Sequence, residues 1–278
     1  MDVINGNKVA DKIISSVKIY IKKNRLKPSL AVILVGKDTA SRLYVSIKQR
    51  RSKQVGIKFK KFLFSNQTTE KQIISLIQKL NQDKKISGIL VQLPLPKHLN
   101  SDKIIDEIDI QKDVDGIHPK NLEKIKKNIV TTVLPATTGA VGELLQSAGV
   151  KLANKSVAII GKSKIAGLPT YFYLKDKVKK INIYDHKTIN LAEKTKQADI
   201  LVVAIGQPEF ITQEYIKKGA IIIDIGINKK NNKTVGDVDF KKVNNKAGLI
   251  TPVPGGVGPV TVAVLLKNTA KLARILDK

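Results

Sequence analysis

Tyr44 and Lys48 stand four residues apart within a run that carries a helical pattern, 41–55. In a helix that spacing makes them neighbours on one face. A lysine held there away from water would release its proton closer to neutrality than a free one, which is what a general acid or base needs. The plainer reading is a solvated pair, since 50 Lys and Arg residues are spread through 278 positions and most such pairs only coat a surface. Gln92 closes an apolar run in "GILVQLPLPKH", and a loop after the carboxyl end of a parallel strand is where open α/β sheets bind ligands. "KDVDGIHP" places Asp113 and Asp115 before a glycine, which reads either as a pair of ligand-binding carboxylates or as an Asx turn.

A second group of residues suits phosphate. "SVAIIGKSKIAGLP" runs from a strand-like stretch into Gly161, Lys162 and Ser163, with Gly167 and Pro169 following. Gly161 permits a tight turn, and a helix behind it would aim free N–H groups at an anion. The spacing is G-x-S-x-x-x-G rather than G-x-G-x-x-G, so an ordinary βα turn remains the alternative. Asp185 then ends the next apolar run, about where a ribose-binding acid belongs. Gly206 in "AIGQP" and Ile227 in "DIGIN" follow two further runs. Together these favour a dinucleotide site.

These residues need a frame, and the periodicity supplies one. Strand-like runs at 30–36, 58–64 and 87–95 alternate with amphipathic stretches at 41–55 and 70–81. Ahead of them Val9, Ile13, Ile14, Val17 and Ile21 share one helical face. "TTEKQII" offers a threonine cap with a glutamate behind it. The second half repeats the theme at 156–161, 181–185, 199–206, 220–228 and 248–253, in runs apolar enough for a parallel sheet covered on both faces. Periodicity weakens over 120–135, and 138–150 reads as a helix, so the domain change is expected there. A last helix is expected from Val260, folding back on the first domain.

Composition narrows the class. The net charge of +27 invites a nucleic-acid reading, yet the lysines fall on almost every segment and aromatics are only 4%, too few for base-stacking platforms. No cysteine and three scattered histidines (His98, His118, His186) argue against a zinc site and leave no disulfides. No apolar run approaches a membrane span, and "MDVINGNKVAD" lacks a secretory h-region, so a cytoplasmic protein without nucleic-acid or membrane partners is expected. One stretch stands out against the lysine: "TPVPGGVGPVT" (251–261) has three prolines, three glycines and no charge.

Read together, these segments resemble the bifunctional methylenetetrahydrofolate dehydrogenase/methenyltetrahydrofolate cyclohydrolase family. The resemblance rests on "VGKDTASRLYVSIKQRRSKQVGI", "GILVQLPLPKH", "KDVDGIHP", "GKSKIAGLP", "ADILVVAIGQP", "GAIIIDIGIN", "VGDVDF" and "TPVPGGVGPVTVAVLL", in that order along the chain. It implies two three-layer α/β domains flanking a cleft, the second Rossmann-like, in a homodimer. The first would span 1–137 and be completed by 260–278, and the second 138–259. It implies oxidation of 5,10-methylenetetrahydrofolate with a nicotinamide dinucleotide, then hydrolysis to 10-formyltetrahydrofolate. By the same resemblance Lys48 is the acid/base group, Tyr44 stacks on the folate, Gln92 tunes Lys48 and Asp115 holds the pterin. Val91 and Leu93 would line the folate site. Pro254, Gly255, Gly256, Val257, Gly258 and Pro259 would wall it. The dinucleotide would lie on Gly161, Lys162, Ser163, Asp185, His186, Gly206 and Ile227.

Several positions depart from the family pattern. "PATTG" (135–139) stands where P-C-T-P is usual, Thr39 replaces a common proline and Val260 a common methionine. Lys162 occupies an arginine position and would meet a 2′-phosphate as a point charge rather than a fork. Asp185 is an acid where the family often has none, and an acid near the ribose favours NAD. NADP is expected, with NAD possible because of Asp185.

Overall fold

A computed structural model describes residues 1–129 and 133–277. Part of the weakly periodic 120–135 stretch, and the Lys278 end of the expected last helix, therefore lie outside the described residues. The chain forms two compact units. One is built on Asp11–Lys124 together with the chain from Val262 onward; the other is built on Thr137–Thr261, joined by Met1–Ala10.

The first unit holds a three-stranded parallel sheet. Its central strand β2 (Ser29–Val35) pairs with β3 (Lys58–Phe64) on one side and β4 (Gly88–Val91) on the other. All of β2 and β4 is buried, as expected of apolar runs covered on both faces, whereas the edge strand β3 alternates and turns Lys58 and Lys61 to solvent. Helix α1 (Gly6–Lys23) buries Val9, Ile13, Ile14, Val17 and Ile21, the face that the sequence marks. Helix α2 (Thr39–Val55) starts on Asp38, whose carboxylate accepts from the Ser41 N–H at 2.7 Å, and stops at Gly56 with φ 82°. Helix α3 (Glu70–Gln82) packs Ile73, Ile77 and Leu80 on β2 and β4 side chains. Its capping box pairs Thr69 with Gln72 rather than with the adjacent Glu70, because only the third helical residue can reach back to the cap N–H. The buried Lys112 side chain closes the other end of α3, donating to the carbonyls of Leu80, Asn81 and Asp83 at 2.7–2.9 Å. Short helices α4 (Ser101–Asp106) and α5 (Pro119–Lys126) fall where periodicity gives no warning.

The second unit is a six-stranded parallel sheet. Its strands are β1 (Asp2–Val3), β5 (Ser156–Ile160), β6 (Lys180–Tyr184), β7 (Ile200–Val203), β8 (Ile221–Asp224) and β11 (Leu249–Ile250), in the order β1-β11-β8-β7-β5-β6. The chain moves outward from β5 to β6 and then returns to β7 on the other side, so the strand order reverses between β5 and β7. Helices α6 (Ala136–Ser147), α7 (Gly167–Leu174), α8 (Leu191–Thr195) and α9 (Phe240–Val243) connect the strands. A hairpin of β9 (Asn228–Lys230) and β10 (Lys233–Val235) follows β8. The strands end earlier than the apolar runs suggest; of 248–253 only two residues pair, since two prolines and a glycine turn interrupt the ladder. The last helix, α10 (Val257–Leu276), begins three residues before the expected Val260. This places Pro259 in the first turn, where a missing N–H costs nothing. No described helix is long and apolar enough to cross a membrane.

Candidate active site

In the three-stranded unit, α2 sets Tyr44 and Lys48 one turn apart, both half-buried. Gln92 follows the last residue of β4, and its backbone N–H extends the ladder by donating to Ile33 O at 2.9 Å. That fixes its side chain beside α2. Lys48 Nζ donates to Gln92 Oε1 at 2.8 Å, while Gln92 Nε2 donates to Leu93 O at 2.7 Å. The amide is thus held with its oxygen toward the ammonium. Val91 is buried behind it, and Leu93 is half-buried.

The acidic turn comes from a different direction. Ile89 in β4 bridges to Asp113 in parallel, so the 113–116 turn lies alongside the strand that carries Gln92. Asp113 is 1% exposed and its carboxylate accepts from the Gly116 and His118 N–H groups and from Asn121 Nδ2, at 2.7–2.9 Å. It is the Asx turn of the plainer reading, and it leaves Asp115 to do chemistry. Asn268 of α10 clamps the same turn by donating to Val114 O and Leu134 O at 3.0 and 2.9 Å. Gly116 sits at φ 73° with no room for a side chain against the backbone of Leu134 and Pro135. Asn268 escaped the sequence reading because, set between Lys267 and Thr269, it looks like one more residue of the helix's polar side.

The electrostatics follow from this burial. Loss of water lowers the Lys48 pKa from its ordinary value, and the negative charge of Asp115 opposes that shift. Burial raises Asp115 to about 6, with Lys48 pulling it down and Asp113 pushing it up. Burial also raises the Tyr44 phenol. The unit therefore groups an ammonium that gives up its proton more readily than usual, an amide that orients it, and a carboxyl that takes a proton more readily than usual.

In the six-stranded unit, Gly161 follows β5 with φ 119°, and a side chain there would overlap the carbonyl of Ala204 after β7. The two loops therefore meet at the point where strand order reverses, the place where such sheets bind ligands. Gly206 has φ 67° and open space beside it. Helix α7 starts at Gly167, six residues past Gly161, and Ser163 Oγ accepts from the Ala166 N–H at 3.2 Å to shape the turn between them. Lys162 and Asp185, read from the sequence as separate contacts, form one ion pair at 3.0 Å. Hydrogen bonding to Lys162 is the main reason Asp185 is held below the usual carboxylate range, with Thr188 and the Lys187 N–H adding to it. His186 and Ile227 are exposed. The 254–259 stretch also belongs to this unit: Gly255 has φ 102°, and Gly256 is packed against Pro252 and Thr251 on one side and Gly6 on the other. Among the described residues no three His, Cys, Asp or Glu side chains cluster as metal ligands.

Residues 4–115 match the family model described as the tetrahydrofolate dehydrogenase/cyclohydrolase catalytic domain, and residues 135–276 match that family's NAD(P)-binding domain. The chain belongs to the tetrahydrofolate dehydrogenase/cyclohydrolase family. It is 45% identical to the bifunctional protein FolD of Acetivibrio thermocellus over 99% of this chain and 98% of that one. Among solved structures it resembles the FolD methylenetetrahydrofolate dehydrogenase/cyclohydrolase of Campylobacter jejuni, with a TM-score of 0.94, 39% identity and 99% coverage of both chains. The Trypanosoma brucei enzyme, solved with NADP and an inhibitor, gives a TM-score of 0.93 at 32% identity, covering 98% of this chain and 97% of that one. Within the family fold, Lys48, Gln92 and Asp115 all fall in the three-stranded unit, and Gly161, Lys162, Asp185 and Gly206 in the six-stranded one.

Proposed function

We infer that this member of the family oxidises 5,10-methylenetetrahydrofolate to 5,10-methenyltetrahydrofolate with NADP and hydrolyses the product to 10-formyltetrahydrofolate. The observation that carries the reading is the Lys48–Gln92 hydrogen bond beside Asp115, in a chain whose second unit is a parallel dinucleotide-binding fold. The three-stranded unit binds the folate and the six-stranded unit the dinucleotide. NADP held there would supply the hydride acceptor that turns the methylene carbon into the methenyl cation. The glycines at 161 and 206 fit such a ligand, because they keep the strand ends free of side chains where it must approach the backbone.

The folate side does the rest. A pterin presents an N–H and an amino group side by side, and the Asp115 carboxylate accepts both. Tyr44 stacks on the ring one helical turn from Lys48. Water adds to the methenyl carbon as Lys48 takes one of its protons; Lys48 then returns that proton to N5 as the C–N5 bond breaks, while the new hydroxyl gives up its own proton to solvent and becomes the carbonyl of the formyl group left on N10. Gln92 holds the ammonium in place between these steps. The 254–259 stretch carries no charge that would compete for the cation. Lys162, already partnered by Asp185, would hold the dinucleotide's 2′-phosphate. The protein acts as a homodimer in the cytoplasm, a reading supported by the cysteine-free sequence and the family pattern.

The test is a coupled assay on methylenetetrahydrofolate, following reduced dinucleotide and methenyl-folate with NADP and NAD in parallel. Lys48→Met is expected to cut hydrolysis by about 10²- to 10⁴-fold while leaving dinucleotide reduction measurable. Wild-type hydrolysis in that variant would overturn the assignment of Lys48, and a strong preference for NAD would overturn the cofactor choice.

A further inference from the structure

Two carboxylates in the six-stranded unit have no part in the chemistry above, yet they are among its most buried polar groups. Asp224, the last residue of β8, is 3% exposed, and Asp237, just past β10, is fully buried. Their recorded partners are N–H groups. Asp224 accepts from the Gly226, Asp237 and Val238 N–H groups at 2.9–3.1 Å. Asp237 in turn accepts from the Ile205 and Gly206 N–H groups through one oxygen, at 2.7 and 3.1 Å, and from Asn228 Nδ2 through the other, at 2.8 Å.

The geometry makes a relay. Asp224 fixes segment 236–238, which carries Asp237; Asp237 then fixes the loop after β7 and the start of β9. Gly226 and Gly236 complete the fit, because a side chain on either would overlap the carboxylate of Asp237 or Asp224 respectively. Two successive N–H groups turned onto one carboxylate oxygen set the peptide planes of 205–206 and hold Gly206 in its left-handed conformation, φ 67°. That loop borders Gly161 at the strand-order reversal. A carboxylate serves here better than an amide, since both of its oxygens accept and all three donors point at them.

We propose that Asp237 is a positioning residue for the dinucleotide, presetting the 205–206 backbone, and that Asp224 acts one step behind it. The proposal rests on the dinucleotide reading of this unit. In Asp237→Asn one side-chain oxygen becomes an N–H donor facing N–H donors, so either the 205–206 loop or Asn228 loses its acceptor. The loop then samples conformations that do not bind, and apparent affinity falls by the fraction that does.

The experiment compares wild type with Asp237→Asn by titrating NADPH binding through its fluorescence. KM for NADP and hydrolysis of added methenyl-folate are measured beside it. NADPH binding is expected to weaken and KM for NADP to rise by about ten- to a hundredfold, with hydrolysis within about twofold of wild type. Equal losses in both activities, or unchanged NADPH binding, would overturn the proposal. Wild-type protein that binds no NADPH would instead overturn the dinucleotide reading itself. Should Asp237→Asn not fold, Asp224→Asn is the second variant: burial already favours the neutral form of that carboxyl, and the same split between NADPH binding and hydrolysis is expected, smaller in size. No split there overturns the proposal as well.

Discussion

Replacing Gln92 by glutamate or by methionine should move the hydrolytic pH profile in opposite directions. Gln92 Oε1 lies 2.8 Å from Lys48 Nζ. A carboxylate oxygen in the same place would attract the ammonium by about 6 kcal/mol at an effective dielectric of about 20. Desolvating the new carboxylate takes back much of that, and opposite charges at such range shift a pKa by about 1–3 units. In wild type, burial holds the Lys48 pKa below its ordinary value; in Gln92→Glu it climbs back. Methionine does the reverse. It removes a hydrogen bond to the charged form, about 1.5–3 kcal/mol, which lowers the Lys48 pKa further. The neutral amine is the base that takes a proton from water, so the rising limb of rate against pH follows this pKa, upward for glutamate and downward for methionine. The assay is hydrolysis of methenyl-folate across pH, corrected for the uncatalysed rate, with thermal unfolding as a check on folding. Limbs that stay in place, or that move the same way in both variants, would refute the coupling of Gln92 to Lys48.

Asp185→Ser frees Lys162 from its ion pair, and the ratio of kcat/KM for NADP over NAD should rise by about fivefold at low salt and by less at high salt; an unchanged ratio would mean that neither side chain reaches the 2′-phosphate. Ile77→Ala empties a fully buried position between α3 and the three-stranded sheet, and should cost about 2–5 kcal/mol in denaturant unfolding while leaving both KM values near wild type.

Local pattern made much of this architecture legible. The Val9 to Ile21 face and the 30–35 run are buried as their periodicity implies. Tyr44 and Lys48 could be paired because a helix converts a spacing of four into contact. What escaped depends on long-range pairing. Lys162 and Asp185 meet only because β5 and β6 are neighbours, so each looked like an independent ligand in the sequence. Asp224 and Asp237 drew no notice in the sequence, the second because it follows a lysine-rich stretch, although an acid that ends a buried strand, as Asp224 does, must find donors somewhere. Strand β1 was invisible because two residues carry no period, and its partner β11 is equally short.

The pairing of those two strands has a consequence in time. Asp2 and Val3 sit beside Leu249 and Ile250, about as far apart along the chain as two partners here can be. At ribosomal speeds of ~5–20 residues per second, β1 emerges roughly 12–50 s before the strand it needs. Through that interval the six-stranded sheet lacks its edge, and Gly6 lacks the 255–256 backbone that it packs against. The uncharged 251–261 stretch is therefore among the last parts of this unit to emerge, and the six-stranded sheet closes only after Ile250 has been made.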